Sequence, residues 1–212
     1  MKRLGGILLA AGEGKRMESL KPLLPINSTT FIECIIKKLK IVCEETIVVL
    51  GYQSSTIIKK VDLSGVKVVF NREYRKGQLS SLQVGLKEIS KDIEGIIMAL
   101  VDQPLVKEDT FKKLKNNFLE YEKSIIIPTF GGKKGHPTIF SNFFFKELMN
   151  APLDIGARYV IKNYPPYVIT VPVEDRGVII NINTPEIYNK FIKKSSLKRR
   201  FNSTFPAFLL PL

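Results

Sequence analysis

The chain has 212 residues, of which 44% are hydrophobic and 25% are charged, and its formal net charge is +13. This length suits one α/β domain with a sizeable core, and the composition is typical of a globular protein. No apolar run is long enough to span a bilayer, and the two cysteines and the single histidine match no zinc-binding pattern. We therefore expect a cytoplasmic protein whose cysteines are reduced thiols.

The excess of positive charge raises the question of a nucleic-acid partner. Part of this charge lies in an acid-free C-terminal stretch between Lys193 and Arg200, and the rest is lysine scattered over predicted helix faces. Aromatic residues do not alternate with these lysines, as an RNA-stacking surface requires. We therefore expect anionic small molecules as partners, and neither nucleic acid nor a membrane.

The first half of the chain alternates apolar strands with amphipathic helices. Hydrophobic runs predict strands at 4–9, 46–50, 66–70, 95–101 and 124–128, with helices between them at 29–39, 54–61, 79–89 and 108–121. Ser28 or Thr29 is expected to cap the first helix, with Glu33 in its first turn. This alternation predicts right-handed βαβ units and an α/β fold of three layers, α/β/α, around a mixed, mostly parallel sheet.

The second half of the chain is less regular. After a turn-rich loop at 131–137, the sequence predicts a strand at 138–140, helices at 142–149 and 155–163, strands at 168–171 and 178–180, and a last helix at 185–194. Thr184 is expected to cap that last helix, with Pro185 in its first turn. We expect residues 1–194 to form a single domain and 195–212 to form a basic, then apolar tail that is disordered or docks.

The N-terminal segment has two interpretations. Lys2 and Arg3, followed by an apolar run at 4–11, match the first parts of a secretory signal. The run is short, however, and it contains Gly5 and Gly6. A buried strand is therefore the favoured interpretation.

A basic loop with two glycines follows the first strand. Gly12 and Gly14 allow successive backbone N–H groups to turn inward, and Lys15 and Arg16 add positive charge, which together favour a phosphate site. The loop differs from a P-loop, which needs Ser or Thr where Arg16 stands. It also differs from the dinucleotide fingerprint, which needs glycine where Met17 stands.

Two polar residues follow predicted strands. Asp102 comes after the strand at 95–101, and Asn181 comes after the strand at 178–180. Ligands of open α/β sheets bind beyond the carboxyl ends of strands, and carboxylate and amide oxygens suit Mg²⁺. Each residue is also compatible with a turn that holds no ligand, and for Asn181 alone we favour that alternative. Beside the basic glycine loop, Asp102 is predicted to bind a metal ion, whereas Asn183 is predicted to be structural.

Several short motifs occur once each, in a specific order, up to about residue 192. They lie at 8–17, 21–25, 77–82, 102–104, 135–137, 154–158 and 181–185. In this order they resemble the molybdenum cofactor cytidylyltransferases, a branch of the MobA-like nucleotidyltransferases with a Rossmann-like fold. The sequence departs from the family at two positions. Asn181 stands where the closing motif has Asp, which removes a negative charge, and Leu79 replaces a residue that is usually small.

The resemblance implies roles for the matching residues. Nucleotide binding is implied for Leu9, Ala10, Ala11, Gly12, Glu13, Gly14, Lys21, Gly77, Ser80 and Ser81. Acceptor binding is implied for Gln103, Pro104, Gly135, His136 and Pro137. Arg16, Lys21 and Asp102 would be catalytic, and Asp102 and Asn181 would hold Mg²⁺, with Mn²⁺ as the alternative ion. For His136, an exposed turn residue is the competing interpretation.

The resemblance also implies a reaction. CMP would pass from CTP to the terminal phosphate of molybdopterin, pyrophosphate would leave, and a molybdenum hydroxylase would receive the product. CTP is favoured because Ala11 stands where guanylyl-transferring relatives usually have glycine. Two alternatives stay open. One is nucleotidyl transfer with another base or acceptor, such as GTP or a sugar or alcohol phosphate. The other is a weakly catalytic nucleotide- or cofactor-binding partner of a hydroxylase, which the departure at Asn181 keeps open.

Overall fold

The computed structural model describes residues 2–17 and 19–193. Its strands are β1 (Leu4–Ala10), β2 (Pro25–Ile26), β3 (Thr29–Thr30), β4 (Glu45–Leu50), β5 (Lys67–Phe70), β6 (Gly95–Leu100), β7 (Ile125–Phe130), β8 (Lys133–Lys134), β9 (Thr138–Ser141) and β10 (Val168–Pro172). Its α-helices are α1 (Phe31–Val42), α2 (Ser54–Ile58), α3 (Gln78–Lys87), α4 (Glu108–Glu120), α5 (Phe145–Asn150), α6 (Arg158–Asn163) and α7 (Pro185–Tyr188).

The central sheet is mixed and mostly parallel, with the strand order β10-β7-β9-β6-β1-β4-β5. β1 lies between β4 and β6, parallel to both. β9 runs antiparallel to both of its neighbours, and β8 extends β7 as a short antiparallel hairpin. The carboxyl ends of β1, β4 and β6 therefore meet at one edge of the sheet, as predicted for a ligand site.

Helices cover both faces of the sheet. All seven residues of β1 are buried, and they alternate between two hydrophobic cores: Leu4 and Leu8 belong to one core, and Ile7 and Leu9 to the other. α1 and α4 contribute to the first core, and α3 and α5 to the second. A strand buried on both faces must be apolar at every position, which explains the continuous hydrophobic run at the start of the chain. The predicted three-layer architecture is confirmed.

The N-cap of helix α1 lies one or two residues later in the chain than expected. Thr30 is the N-cap, and Thr30 and Glu33 form a reciprocal capping box. The predicted caps Ser28 and Thr29 are wrong because residues 25–30 form the hairpin of β2 and β3, whose turn includes Asn27 at φ 53°. Glu33 occupies the first turn, as predicted.

Helix α3 lies very close to the sheet. A Cβ added at Gly85 would lie 2.7 Å from Cγ2 of Ile7, so only glycine permits this approach. The close packing fixes α3 against β1 and β4. It also brings the N-terminal turn of α3 to the carboxyl edge of the sheet, beside the glycine loop.

The second half of the chain departs most from the sequence predictions. The strand predicted at 178–180 is wrong, since Arg176–Ile179 form a 3₁₀ turn in which the Asp175 side chain accepts from the Gly177 N–H. Gly156, at φ 77°, delays the helix predicted from 155 until Arg158, and a 3₁₀ turn at Asn142–Phe144 precedes α5.

The last predicted helix is confirmed where it is described. Thr184 caps α7, and Pro185 occupies its first turn. The chain continues from α7 as one π-helical turn, Asn189–Lys193. The expected tail at 195–212 lies outside the described residues. Among the described helices, none combines the length and the apolar character needed to cross a bilayer.

Candidate nucleotide site

The glycine loop and α3 enclose a cavity of about 250 Å³ at the carboxyl edge of the sheet, which we call the first cavity. Its lining includes Leu9, Ala11, Gly12, Gly14, Lys21, Tyr74, Gly77, Gln78, Ser81 and Asp102. Charged side chains line one part of it, at Lys21 and Asp102, and the rest is apolar, aromatic or neutral and polar. The chain therefore provides one cavity with an ionic part and a part that suits an uncharged ring.

The ionic part is built around Lys21. Its Nζ donates a hydrogen bond to Oδ1 of Asn183 and lies 3.6 Å from Oδ2 of Asp102. Burial raises the pKa of Asp102 above its ordinary value, and the charge of Lys21 opposes that shift. The Lys21 ammonium thus lies between two hard oxygen groups that come from distant parts of the chain.

The closing segment is tied to Asp102 through its backbone. The Ile182 N–H donates to the carbonyl of Asp102 at 2.7 Å. Asn181, in contrast, is exposed. Its Oδ1 accepts a hydrogen bond from Nε2 of Gln103, the residue that follows Asp102 in the sequence. Asn183, which was predicted to be structural, therefore faces the ionic centre, whereas the side-chain oxygen of Asn181 is already engaged by Gln103.

Glu13 links the glycine loop to the opposite wall of the cavity. Its Oε1 accepts from Nε of Arg75 at 2.7 Å and from the Tyr74 hydroxyl at 3.3 Å, and Lys15 lies 3.4 Å from its other oxygen. The hydrogen bond from Arg75 is the main cause that lowers the pKa of Glu13. The contact holds Tyr74 at the mouth of the first cavity, where its ring packs against Tyr52.

Ser80 and Ser81 have different surroundings although they are neighbours on α3. Both residues are buried, but the Ser80 hydroxyl donates to the carbonyl of Gly77 at 2.7 Å, whereas Ser81 lines the first cavity. Both hydroxyl oxygens accept from Nδ2 of Asn71 at 2.9 Å. Asn71 is a buried residue that the sequence analysis did not single out.

A second cavity of about 590 Å³ adjoins the first, and Gly77 and Gln78 line both. Three cationic side chains line it: Lys134 on β8, and Arg158 and Lys162 on α6. Arg158 and Lys162 are one helical turn apart and therefore present their charges on the same side of α6. The second cavity is suited to an anionic molecule larger than a free phosphate.

Gly135 and His136, for which the resemblance implies acceptor binding, line the second cavity. A Cβ at Gly135 would lie 2.2 Å from the carbonyl oxygen of Val178, so glycine is required there. The His136 N–H donates to that same carbonyl. Burial, with a smaller effect from Arg158, lowers the pKa of His136 to about 4, so its imidazole is neutral at neutral pH.

Eight residues with implied roles line neither cavity. They are Ala10, Glu13, Arg16, Ser80, Gln103, Pro104, Pro137 and Asn181. Ala10 is buried in β1, and Arg16 is exposed but close enough for its charge to act on Asp102. Pro104 and Pro137 are buried, and the Pro104 carbonyl accepts from Lys38 on α1. Gln103 contacts the closing segment through the hydrogen bond that it donates to Asn181.

The donor set of the ionic part fits a hard divalent cation. Mg²⁺ in phosphate-binding sites takes one or two protein carboxylates together with phosphate oxygens. Asp102 offers a carboxylate and Asn183 an amide oxygen, and the Lys21 ammonium already provides a positive charge between them. The second ligand from the chain would therefore be Asn183, two positions beyond Asn181.

Comparison with known proteins identifies relatives along most of the chain. The molybdenum cofactor cytidylyltransferase of Escherichia coli (strain K12) is 25% identical over 190 residues, which are 88% of this chain and 94% of the relative. The nicotine blue oxidoreductase of Paenarthrobacter nicotinovorans is 26% identical over 85% of this chain and 92% of the relative. A probable molybdenum cofactor guanylyltransferase of Carboxydothermus hydrogenoformans is 22% identical over 93% of this chain and 100% of the relative.

Solved structures share the same fold. A nucleotidyl transferase from Methanothermobacter thermautotroptrophicus superimposes with a TM-score of 0.80 at 21% identity, over 93% of this chain and 100% of the other. Rv0371c from Mycobacterium tuberculosis H37Rv, in complex with manganese, superimposes with a TM-score of 0.73 at 24% identity, over 91% and 98%.

The fold and the relatives define a nucleotidyltransferase with a Rossmann-like α/β architecture. The sequence model of the MobA-like NTP transferase domain matches residues 6–167. The chain therefore belongs to the MobA-like NTP transferase family, as the ordered motifs indicated.

Proposed function

We propose that the protein transfers CMP from CTP to the terminal phosphate of a molybdopterin cofactor, with Mg²⁺ as the metal. The observation that carries this proposal is the pair of adjoining cavities that share Gly77 and Gln78. The first has the glycine loop, Lys21 and Asp102 for a nucleoside triphosphate, and the second has Lys134, Arg158 and Lys162 for an anionic acceptor.

The proposed roles follow from these positions. The backbone of Ala11, Gly12 and Gly14 would contact the nucleotide, and Lys21 would neutralise its phosphates. In the second cavity, Gly135 and His136 would contact the acceptor. Arg16 and Glu13 would act from the rim, Arg16 through its charge and Glu13 through Tyr74.

The reaction needs no protein nucleophile. A terminal phosphate oxygen of the acceptor attacks the α-phosphorus, a new phosphoanhydride bond forms, and the bond to the β-phosphate breaks as pyrophosphate leaves. The acceptor is already an anion, so positioning and charge neutralisation carry the catalysis. A divalent ion at Asp102 and Asn183 would offset the negative charge of the phosphates. The manganese complex of a protein with the same fold supports a divalent ion.

CTP is preferred in this proposal for two reasons. Ala11 stands where guanylyl-transferring members of the resembled family usually have glycine, and a named cytidylyltransferase is a relative over 88% of the chain. Guanylyl transfer is the second candidate, because a probable guanylyltransferase is similar over 93% of the chain. The product would pass to a molybdenum enzyme, for which a hydroxylase is the proposed recipient.

The proposal is tested by measuring thermal stabilisation with CTP, GTP, ATP and UTP, each with and without Mg²⁺. A ligand that binds the folded state raises the melting temperature by mass action. We expect selective, Mg²⁺-dependent stabilisation by CTP, followed by pyrophosphate release when molybdopterin is added. Selective stabilisation by GTP would transfer the proposal to guanylyl transfer. Binding without turnover would favour a weakly catalytic nucleotide-binding partner.

A further inference from the structure

The buried side-chain amide of Asn71 forms hydrogen bonds to the helix that lines the first cavity. Asn71 follows β5, is 3% exposed, and its backbone N–H donates to the carbonyl of Leu50 at 2.8 Å. Its side-chain Oδ1 accepts from the N–H of Glu73 at 2.9 Å. Because that backbone N–H can only donate, the oxygen of the amide must face Glu73, and the nitrogen must face α3.

The two hydrogens of this amide nitrogen go to neighbouring serines. Nδ2 of Asn71 donates to Oγ of Ser80 and to Oγ of Ser81, each at 2.9 Å. Ser80 passes its own hydroxyl hydrogen to the carbonyl of Gly77. Its hydrogen-bonding capacity is therefore directed into the protein.

Ser81 differs from Ser80 in where its hydrogen can go. Its oxygen accepts from Asn71, and among residues 2–17 and 19–193 no acceptor forms a hydrogen bond with its hydroxyl hydrogen. Ser81 lines the first cavity together with Leu9 and Tyr74. A hydroxyl whose oxygen is engaged from behind presents its hydrogen to the cavity, so Ser81 is set as a donor.

We infer that Asn71 is a positioning residue that holds Ser81 as a hydrogen-bond donor to an acceptor atom of the nucleotide base. The inference rests on the proposed function, since it assumes a nucleoside triphosphate in the first cavity. The charged phosphates belong with Lys21 and Asp102, which leaves the aromatic and apolar part at Tyr74 and Leu9 for the base. Ring carbonyl oxygens and unprotonated ring nitrogens are the acceptors that this donor would meet.

The test compares wild type with Ser81→Ala, Asn71→Ala, the double variant, and Thr110→Ala. Dissociation constants for the four nucleoside triphosphates with Mg²⁺ are measured by calorimetry, and melting temperatures are recorded separately. We expect each of the first two single variants to weaken binding of the preferred nucleotide by about tenfold. The double variant should lose no more than the larger single loss, because Asn71 acts through Ser81.

Thr110→Ala is the matched control. It removes another buried hydroxyl, which donates to Oδ2 of Asp175 outside both cavities, so it should lower the melting temperature while nucleotide affinity stays within about twofold of wild type. An Asn71 that only supports the fold would change the melting temperature without changing affinity in step with Ser81. If Asn71→Ala does not fold, Asn71→Asp takes its place: it keeps the acceptor for the Glu73 N–H but replaces the donating nitrogen by an oxygen that draws the Ser81 hydrogen away from the cavity, so it should weaken nucleotide binding as Ser81→Ala does.

Several results would overturn the inference. Wild-type affinity in Ser81→Ala removes the donor role, and additive losses in the double variant remove the link to Asn71. A loss in Ser81→Ala that disappears when the 2′-deoxy nucleotide is used assigns the contact to the ribose instead of the base. If wild type binds none of the four nucleotides, the proposed function fails as well, so the two failures are distinguishable.

Discussion

The side-chain amine of Lys21 donates a hydrogen bond to Oδ1 of Asn183, 162 positions further along the chain. The same amine lies 3.6 Å from the Asp102 carboxylate, and the side chains of Lys21 and Asp102 are only 16% and 20% exposed. We therefore expect a bound phosphate to compete with these two oxygens for the Lys21 ammonium.

Asp102 is the first residue to test. We expect Asp102→Ala to reduce turnover by at least about a hundredfold, because it removes the only carboxylate at the ionic centre of the described site. Burial raises the pKa of the Asp102 carboxyl, which means that its charged form destabilises the folded protein at neutral pH. Removal of this carboxylate should therefore not lower the melting temperature. Single-turnover pyrophosphate release and thermal unfolding measure the two effects. Near-normal turnover in this variant would remove the proposed metal role.

Asn183 and Asn181 form a matched pair within one motif. We expect Asn183→Ala to lower turnover by about tenfold or more, because it removes the oxygen that faces Lys21 and Asp102. Asn181→Ala should change turnover by less than about threefold, since its oxygen faces Gln103. Steady-state kinetics on both variants compare them directly. The opposite order of effects would return the ligand role to Asn181.

Tyr74 is expected to form a wall for the base. Tyr74→Ala should weaken nucleoside triphosphate binding by roughly tenfold, since stacking on an aromatic ring contributes about 1–3 kcal/mol per base. Tyr74→Phe keeps the ring and should weaken binding by less than about threefold, since it loses only the hydrogen bond to Glu13 that helps to hold the ring in place. Tyr121→Ala, at an exposed position outside both cavities, serves as the control. Equal affinity in Tyr74→Ala and wild type would place the base elsewhere.

Arg158 should act on the acceptor alone. It lines the second cavity and not the first, so Arg158→Ala is expected to raise the KM for the anionic acceptor by about tenfold with little change in the KM for the nucleotide. Lys146→Ala removes an exposed cation of α5 outside both cavities and should leave both constants unchanged. A rise in the nucleotide KM would show that the two cavities are not divided between the two substrates.

His136 gives a pH dependence of stability. Its folded pKa of about 4 lies below the ordinary value of 6.5, so between these values the unfolded chain binds a proton that the folded protein does not. Stability therefore falls as the pH drops from about 6.5 towards 4, by about 3 kcal/mol. Urea unfolding at several pH values measures this loss. His136→Asn should flatten the slope in that window, and an unchanged slope would assign it to other groups.

The parts of the fold that the sequence could predict are those with a continuous hydrophobic pattern. β1, β4, β5, β6 and β7 all lie within two residues of their predicted bounds. β1 and β6 are buried at every residue, and a strand buried on both faces is apolar throughout. The strand predicted at 178–180 failed for the opposite reason. Val178 and Ile179 are apolar because they pack beneath a turn, and Asp175 caps that turn with a hydrogen bond that hydrophobicity does not reveal.

The candidate site divides in a similar way. The glycine loop, Lys21, Asp102 and His136 have local signals, and the structure brings all of them to the two cavities. Asn71, Tyr74 and Asn183 contribute through contacts with distant residues, such as the two serines of α3 and Lys21. None of these three residues belongs to a local sequence pattern that indicates its contacts. Their contributions could therefore be recognised only from the folded structure.

The backbone hydrogen bond from Ile182 to Asp102 joins two segments that leave the ribosome at different times during synthesis. A nascent chain that has emerged as far as Pro172 already contains every strand of the described sheet, but neither Ile182 nor Asn183. All strands of the sheet are therefore present before the ionic centre is complete. Premature termination between these two points would release a chain that has every strand of the described sheet, lacks Ile182 of the first core, and has an unfinished ionic centre.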